Sequence, residues 1–143
     1  MTTVIGRLYN NPELWGIMRD IATMADIQLM VDTFYDKIRQ DELLGPVFAE
    51  RIAPDAWTPH LETMYKFWGA QLLGIMEYHG RPFPKHRTLP VDGQHFDQWL
   101  LLFNQTLDEL FEGPRASTAR VKARSIAQVF LGKILFERGI YKA

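Results

Sequence analysis

Asp26-Ile27-Gln28-Leu29-Met30-Val31-Asp32-Thr33-Phe34-Tyr35-Asp36-Lys37-Ile38-Arg39 is the stretch on which the fold turns. Its apolar residues Ile27, Met30, Val31, Phe34, Tyr35 and Ile38 fall at i, i+3, i+4, i+7, i+8 and i+11. That is the repeat of an amphipathic helix with one face in a core. No window of the chain alternates convincingly with period two, so the sequence predicts an all-α domain.

Outward from this helix, breakers divide the chain into further helical lengths. Gly45-Pro46 interrupts after Leu43 and Leu44, and a short segment with Val47, Phe48 and Ile52 runs to Pro54. Thr58-Pro59 reads as an N-cap followed by proline at the first helical position. The helix it opens carries Leu61, Met64, Phe67, Trp68, Leu72 and Ile75 toward the core. Between Glu77 and Gly93 the prolines Pro82, Pro84 and Pro90 forbid a long helix. Phe83, Leu89 and Val91 are expected to pack that segment onto the body. Asp92 reads as the cap of a helix whose Phe96, Trp99, Leu100, Phe103, Leu107, Leu110 and Phe111 share one face. Gly113-Pro114 ends it and opens the last helix, Arg115 to about Arg138, with Gly139 as its stop. The first 20 residues, with Leu14, Trp15, Ile17 and Met18, suggest a short helical N-terminal extension laid on the body.

The 143 residues form a single expected domain, 1–143, with 47% hydrophobic and 13% aromatic residues, enough for a core with an internal pocket. A formal net charge of -1 argues against a generic nucleic-acid binder, which needs a basic field. The absence of cysteine excludes disulfides, thiolate metal sites and thiol nucleophiles. The longest strongly apolar uncharged run, 67–76, is well short of the roughly 20 residues of a membrane helix. The N-terminus lacks a basic segment followed by an apolar run. The expectation is a soluble cytoplasmic protein with no membrane partner.

Chemistry has few carriers here. The chain has no Gly-rich phosphate loop, no Gly-x-Ser-x-Gly, no His-Glu-x-x-His and no Glu-x-x-His pair. What remains is four histidines and a large aromatic inventory. His86, in Lys85-His86-Arg87, reads in one way as a solvated basic turn, the commoner outcome for such a triplet. In the other it is a metal ligand at the edge of an apolar cavity, and one imidazole suffices when a porphyrin supplies the other nitrogens. His60 shares a helix face with Met64 and Trp68, although a histidine at a helix start is more often a surface residue. Tyr35 and Trp99 read first as core, with their polar tips satisfied locally. Together, a phenol, an indole N–H and two histidines on separate helical segments would surround a flat ligand.

Phe34-Tyr35, then Leu44-Gly45-Pro46-Val47-Phe48, then His60 with Phe67-Trp68, then Lys85-His86, then Trp99-Leu100 before Leu102-Phe103, resemble the group III truncated haemoglobins. The resemblance runs from about Ile21 to Arg138. Groups I and II carry Gly-Gly pairs near helix ends, and this chain has none. The resemblance implies a globin-like, two-on-two helical sandwich around haem b, with His86 as the proximal iron ligand. Tyr35, His60 and Trp99 would line the distal side, Phe48 would stack near the haem edge, Met64 would roof the iron, and Lys85 would reach a propionate. It implies binding of dioxygen or other diatomic ligands at a five-coordinate iron. Candidate redox activities are nitric oxide dioxygenation and peroxide reduction, each needing a reductase. Hydrogen bonds to a charged group are worth about 1.5–3 kcal/mol, so two distal donors would slow ligand release markedly. No Asp or Glu close to His86 in sequence offers the carboxylate of a peroxidase, so reversible ligand binding ranks ahead of redox detoxification. The alternative is a non-catalytic helical interaction module whose aromatic stripes are ordinary core, with no haem.

Overall fold

The computed structural model describes residues 18–139, and all regular structure among them is helical. The elements are α1 (Met24–Gln40), α2 (Gly45–Arg51), a 3-10 turn (Pro54–Ala56), α3 (Trp57–Leu73), α4 (Pro82–His86), α5 (Gly93–Leu110) and α6 (Pro114–Glu137). The expected extension lies almost wholly outside the described residues. No helix among them is long and apolar enough to cross a membrane.

α1 begins two residues before the predicted start because Thr23 and Asp26 form a capping box. The Asp26 amide donates to the Thr23 hydroxyl at 3.3 Å, and the Thr23 amide donates to the Asp26 carboxylate at 3.0 Å. Asp26 is only 3% exposed. It also accepts from the Ala22 amide and from both terminal nitrogens of Arg19. The Arg19 hydrogen bond, aided by the backbone donors, outweighs burial and holds this carboxyl well below its ordinary range.

α1 packs against α3 and against α5, α5 against α6, and α3 against α6. This is a two-on-two sandwich of four helices. Its centre is aromatic. Phe34 meets Phe103 edge-on at 5.1 Å, and Trp68 stacks on Phe103 at 5.0 Å. α6 buries Ala116, Ala119, Ala123 and Ala127, small side chains that let it lie close to its neighbours.

Nothing within α6 caps its start. Asp20 does so from across the chain, accepting the amides of Arg115 and Ala116, each at 3.0 Å. Gly113 makes room for it. At φ +146° a side chain there is strained, and a Cβ would fall 2.5 Å from the Asp20 carboxyl carbon.

One predicted boundary is corrected. α3 starts at Trp57 with Ala56 as its cap residue, so Thr58-Pro59 lie inside the first turn. Proline is tolerated there because the first-turn amides have no intrahelical acceptor to lose. His60 is therefore the fourth residue of α3 rather than the second.

Candidate functional site

The cleft is best built from His86. It is the last residue of α4, a helix of five residues that opens on Pro82 and contains no fully buried side chain. His86 Nδ1 lies 2.6 Å from the Pro82 carbonyl oxygen. A carbonyl only accepts, so Nδ1 carries the proton and the lone pair is on Nε2. The ring packs on Phe130 of α6 with centroids 4.9 Å apart. Burial lowers its basicity, Lys85 adds to that, and the Pro82 bond partly opposes it. The result is a neutral imidazole with a fixed tautomer, the form that ligates a metal.

His86 lines a cleft of about 660 Å³, within the size range of cofactor sites. Phe48 of α2, His60 and Met64 of α3, and Lys85 share its lining. A smaller apolar cavity of about 70 Å³ adjoins through Val47, Phe48, His86 and Leu89, and adds Trp99 and Phe130. Across from these, His60 Nε2 is buried with no hydrogen-bond partner. Burial lowers the basicity of His60, and the nearness of His86 and Lys85 lowers it further.

Tyr35 stands behind His60, its ring perpendicular at 5.2 Å, and is itself buried. Burial drives its phenol well above the ordinary value of 10.0, so the hydroxyl keeps its proton. Tyr35 lines neither of the two spaces just described and faces a separate cleft of about 340 Å³ with Trp57, Asp32 and Tyr65. Trp99 lies flat on Phe103 at 5.8 Å and meets the edge of Phe34 at 5.5 Å. Phe34 thus stands between Trp99 and Tyr35. Of the expected site residues, Phe48, His60, Met64, Lys85 and His86 share the large cleft. Trp99 reaches the smaller cavity, and Tyr35 reaches the site through His60.

Sequence reasoning missed Trp57. It contacts His60 at 5.6 Å and Tyr35 at 5.9 Å, stacks with Phe48, and carries the Arg39 guanidinium over its outer face at 4.5 Å. Its i, i+3 spacing to His60 is the available signal, hidden by a predicted helix start two residues late.

These residues fit a flat, metal-bearing macrocycle. One imidazole offers a free lone pair, Val47, Phe48, Met64 and Leu89 give the lining apolar faces, and the unpartnered His60 imidazole shares that lining. Among the described residues no three His, Cys, Asp or Glu side chains gather to hold a metal ion. A metal taken by His86 alone needs the further nitrogens that a porphyrin brings.

A two-on-two helical sandwich presenting one neutral imidazole to a cofactor-sized cleft is the arrangement of a haem-binding globin. Comparison with known proteins agrees. The family model described as bacterial-like globin matches residues 17–129. Group 3 truncated hemoglobin ctb of Campylobacter jejuni is 34% identical over 107 residues, spanning 73% of this chain and 84% of that protein. The crystal structure of a group III truncated hemoglobin from Campylobacter jejuni superposes with a TM-score of 0.74 at 30% identity. That match covers 82% of this chain and 95% of the other. The chain belongs to the bacterial-like globins, as a group III truncated haemoglobin. Membership implies a haem cofactor and haem-based binding of small diatomic ligands.

Proposed function

We propose that this chain binds dioxygen or a related diatomic ligand reversibly, on haem b held through Nε2 of His86. The observation that carries this reading is the 2.6 Å contact from His86 Nδ1 to the Pro82 carbonyl, which leaves Nε2 free toward the cleft. When bound, haem b supplies the ferrous iron at which a diatomic ligand is taken up.

The chain's own residues then divide the work. Phe48 and Met64 provide apolar walls that exclude water, and exposed Lys85 at the rim supplies a cation for a carboxylate of the cofactor. The distal groups are the His60 imidazole in the large cleft and the Trp99 indole N–H beside the smaller cavity, with the protonated Tyr35 phenol packed on His60 from outside both spaces. Donors fixed in a dry site stabilise negative charge developing on a ligand without reorganising. Tyr35 packs its ring against His60, whose buried Nε2 has no hydrogen-bond partner.

A backbone carbonyl behind His86, rather than a carboxylate, favours reversible binding over peroxide reduction. A second reading is nitric oxide dioxygenation fed by an external reductase. The adjacency of Tyr35 and His60 favours it, because strongly held ligands suit chemistry better than delivery.

Purified after expression with ample haem, the protein should absorb near the Soret region. Tyr35→Phe should release oxygen faster, by at most roughly tenfold, because Tyr35 acts on the ligand through His60. An unaltered rate removes Tyr35 from the distal set. A colourless protein whose stability ignores added haem returns the chain to the interaction-module reading.

A further inference from the structure

The turn after His86 cannot satisfy itself. It runs Thr88-Leu89-Pro90-Val91, and Pro90 has no N–H to give. Two local bonds close it, Leu89 N–H to the His86 carbonyl at 3.1 Å and Val91 N–H to the Leu89 carbonyl at 2.9 Å. Further donors to its hydroxyl and carbonyl acceptors come from two arginines elsewhere in the chain. Arg51, the last residue of α2, donates one terminal nitrogen to the Thr88 hydroxyl at 3.1 Å and the other to the Thr88 carbonyl at 2.8 Å. Arg138, directly after α6, donates to the Val91 and Leu89 carbonyls, each at 2.7 Å. A guanidinium suits this because its donors sit in a rigid fork that spans two acceptors at once.

α6 and the residue after it meet the His86 segment at several points, with Phe130 and Lys133 on the Phe83 ring and Glu137 paired with Arg87 at 3.2 Å. Phe130 packs on the imidazole face, and Arg138 grips the chain three and five residues beyond it. Leu89, whose carbonyl is held, also lines both spaces beside His86. A short helix with no fully buried side chain needs restraint at its end, besides these side-chain contacts, to fix its position along the cleft. The double arginine grip supplies that restraint.

We propose that Arg51 and Arg138 are positioning residues for His86, clamping the turn at Thr88, Leu89 and Val91 so that Nε2 stays aimed into the cleft. The inference rests on the reading of His86 as the iron ligand.

The test compares Arg138→Leu, Arg51→Leu, the double variant and Arg138→Lys. Three quantities are read: haem loss to an excess of a haem-free acceptor protein, the iron–imidazole stretching band of the ferrous protein, and amide exchange at residues 86–91 without haem. The bonds are exposed or half-buried, so each leucine variant should lose haem roughly three- to tenfold faster. The band should shift or broaden and loop exchange should rise, while melting changes little. Lysine, a single-point donor, should restore the band only in part. A double variant with unchanged band and unchanged haem loss overturns the clamp. So does one that melts earlier with an unchanged band, because that is stabilisation without positioning. If the unsubstituted protein shows no imidazole band, the His86 reading and the clamp fall together. If its band is present and survives the double variant, only the clamp falls.

Discussion

Tyr35 backs one wall of the site through His60, His86 belongs to another, and the two are held by different physics. On the Tyr35 side, rings from α1, α2, α3 and α5 wedge against one another. Tyr35 touches Phe34, Phe48, Trp57 and His60 with centroids 5.1 to 6.0 Å apart. Such a wall is rigid because every displacement must move several large side chains through a close-packed interior. The His86 side is a five-residue helix without a fully buried residue, tied by the His86 bond to the Pro82 carbonyl and by arginine bonds to the turn that follows. A packed wall resists change until its volume is altered. A hydrogen-bonded wall yields one bond at a time and barely alters the stability of the rest. Damage to the two sides should therefore show in different measurements.

The largest expected effect removes the bonded wall's working part. His86→Gly should lose stable haem retention outright, or make it depend on added imidazole, while helix content and the melting of the haem-free protein stay near those of the parent. Absorbance during gel filtration with and without imidazole checks this. Equal loss of helicity would mean that His86 is also a packing residue, and the contrast between the walls would blur.

Next comes the packed wall. Phe103 is fully buried and touches Phe34, Trp68 and Trp99. Phe103→Ala should cost about 3–5 kcal/mol of unfolding free energy in a urea titration. Amide exchange around Pro82 and His86 below the global transition should hardly change. Selective loosening of α4 in this variant would show that the walls are coupled.

Smaller is the effect of pH on the foot of the packed wall. Asp26 titrates below its ordinary 3.8 in the folded protein. Its carboxylate therefore contributes stability that is complete above that value and is lost as the pH falls through it toward the depressed one. Asp26→Asn should cost about 1–3 kcal/mol near neutrality, by loosening the ties to Arg19, Ala22 and Thr23. The variant should also show a flatter decline of stability as the pH falls below 3.8. A parallel decline in both proteins would locate the acid sensitivity elsewhere.

Much of the packed wall was legible because burial writes a period into a helix. The spacing of Ile27 to Ile38 and of Phe96 to Phe111 places α1 and α5 to within a few residues. The ends were less so. Thr23-x-x-Asp26 is a capping box with aspartate where glutamate or glutamine is usual, and Pro59 suggested a first helical position although it lies later in the turn. Neighbours in sequence also diverge in space. Phe34 and Tyr35 point about 100° apart around α1, so Phe34 meets Trp99 and Phe103 while Tyr35 meets His60 and Trp57. The expected grouping of Tyr35 with Trp99 could not anticipate that intervening ring.

The bonded wall was scarcely legible. Lys85-His86-Arg87 drew attention by resemblance, but the tautomer of His86 depends on a carbonyl four residues earlier. Arg51 and Arg138 find their acceptors 37 to 49 residues away. No local pattern marks such partners, because an exposed arginine reads the same whether it grips a loop or faces water.

Resonance Raman of the ferrous, ligand-free protein, with ¹⁵N-labelled histidine, bears most directly on whether His86 Nε2 holds the haem iron. An iron–imidazole band that moves on labelling, disappears in His86→Gly and returns with added imidazole is the predicted result. A band that ignores the label, or persists unchanged in His86→Gly, would contradict it.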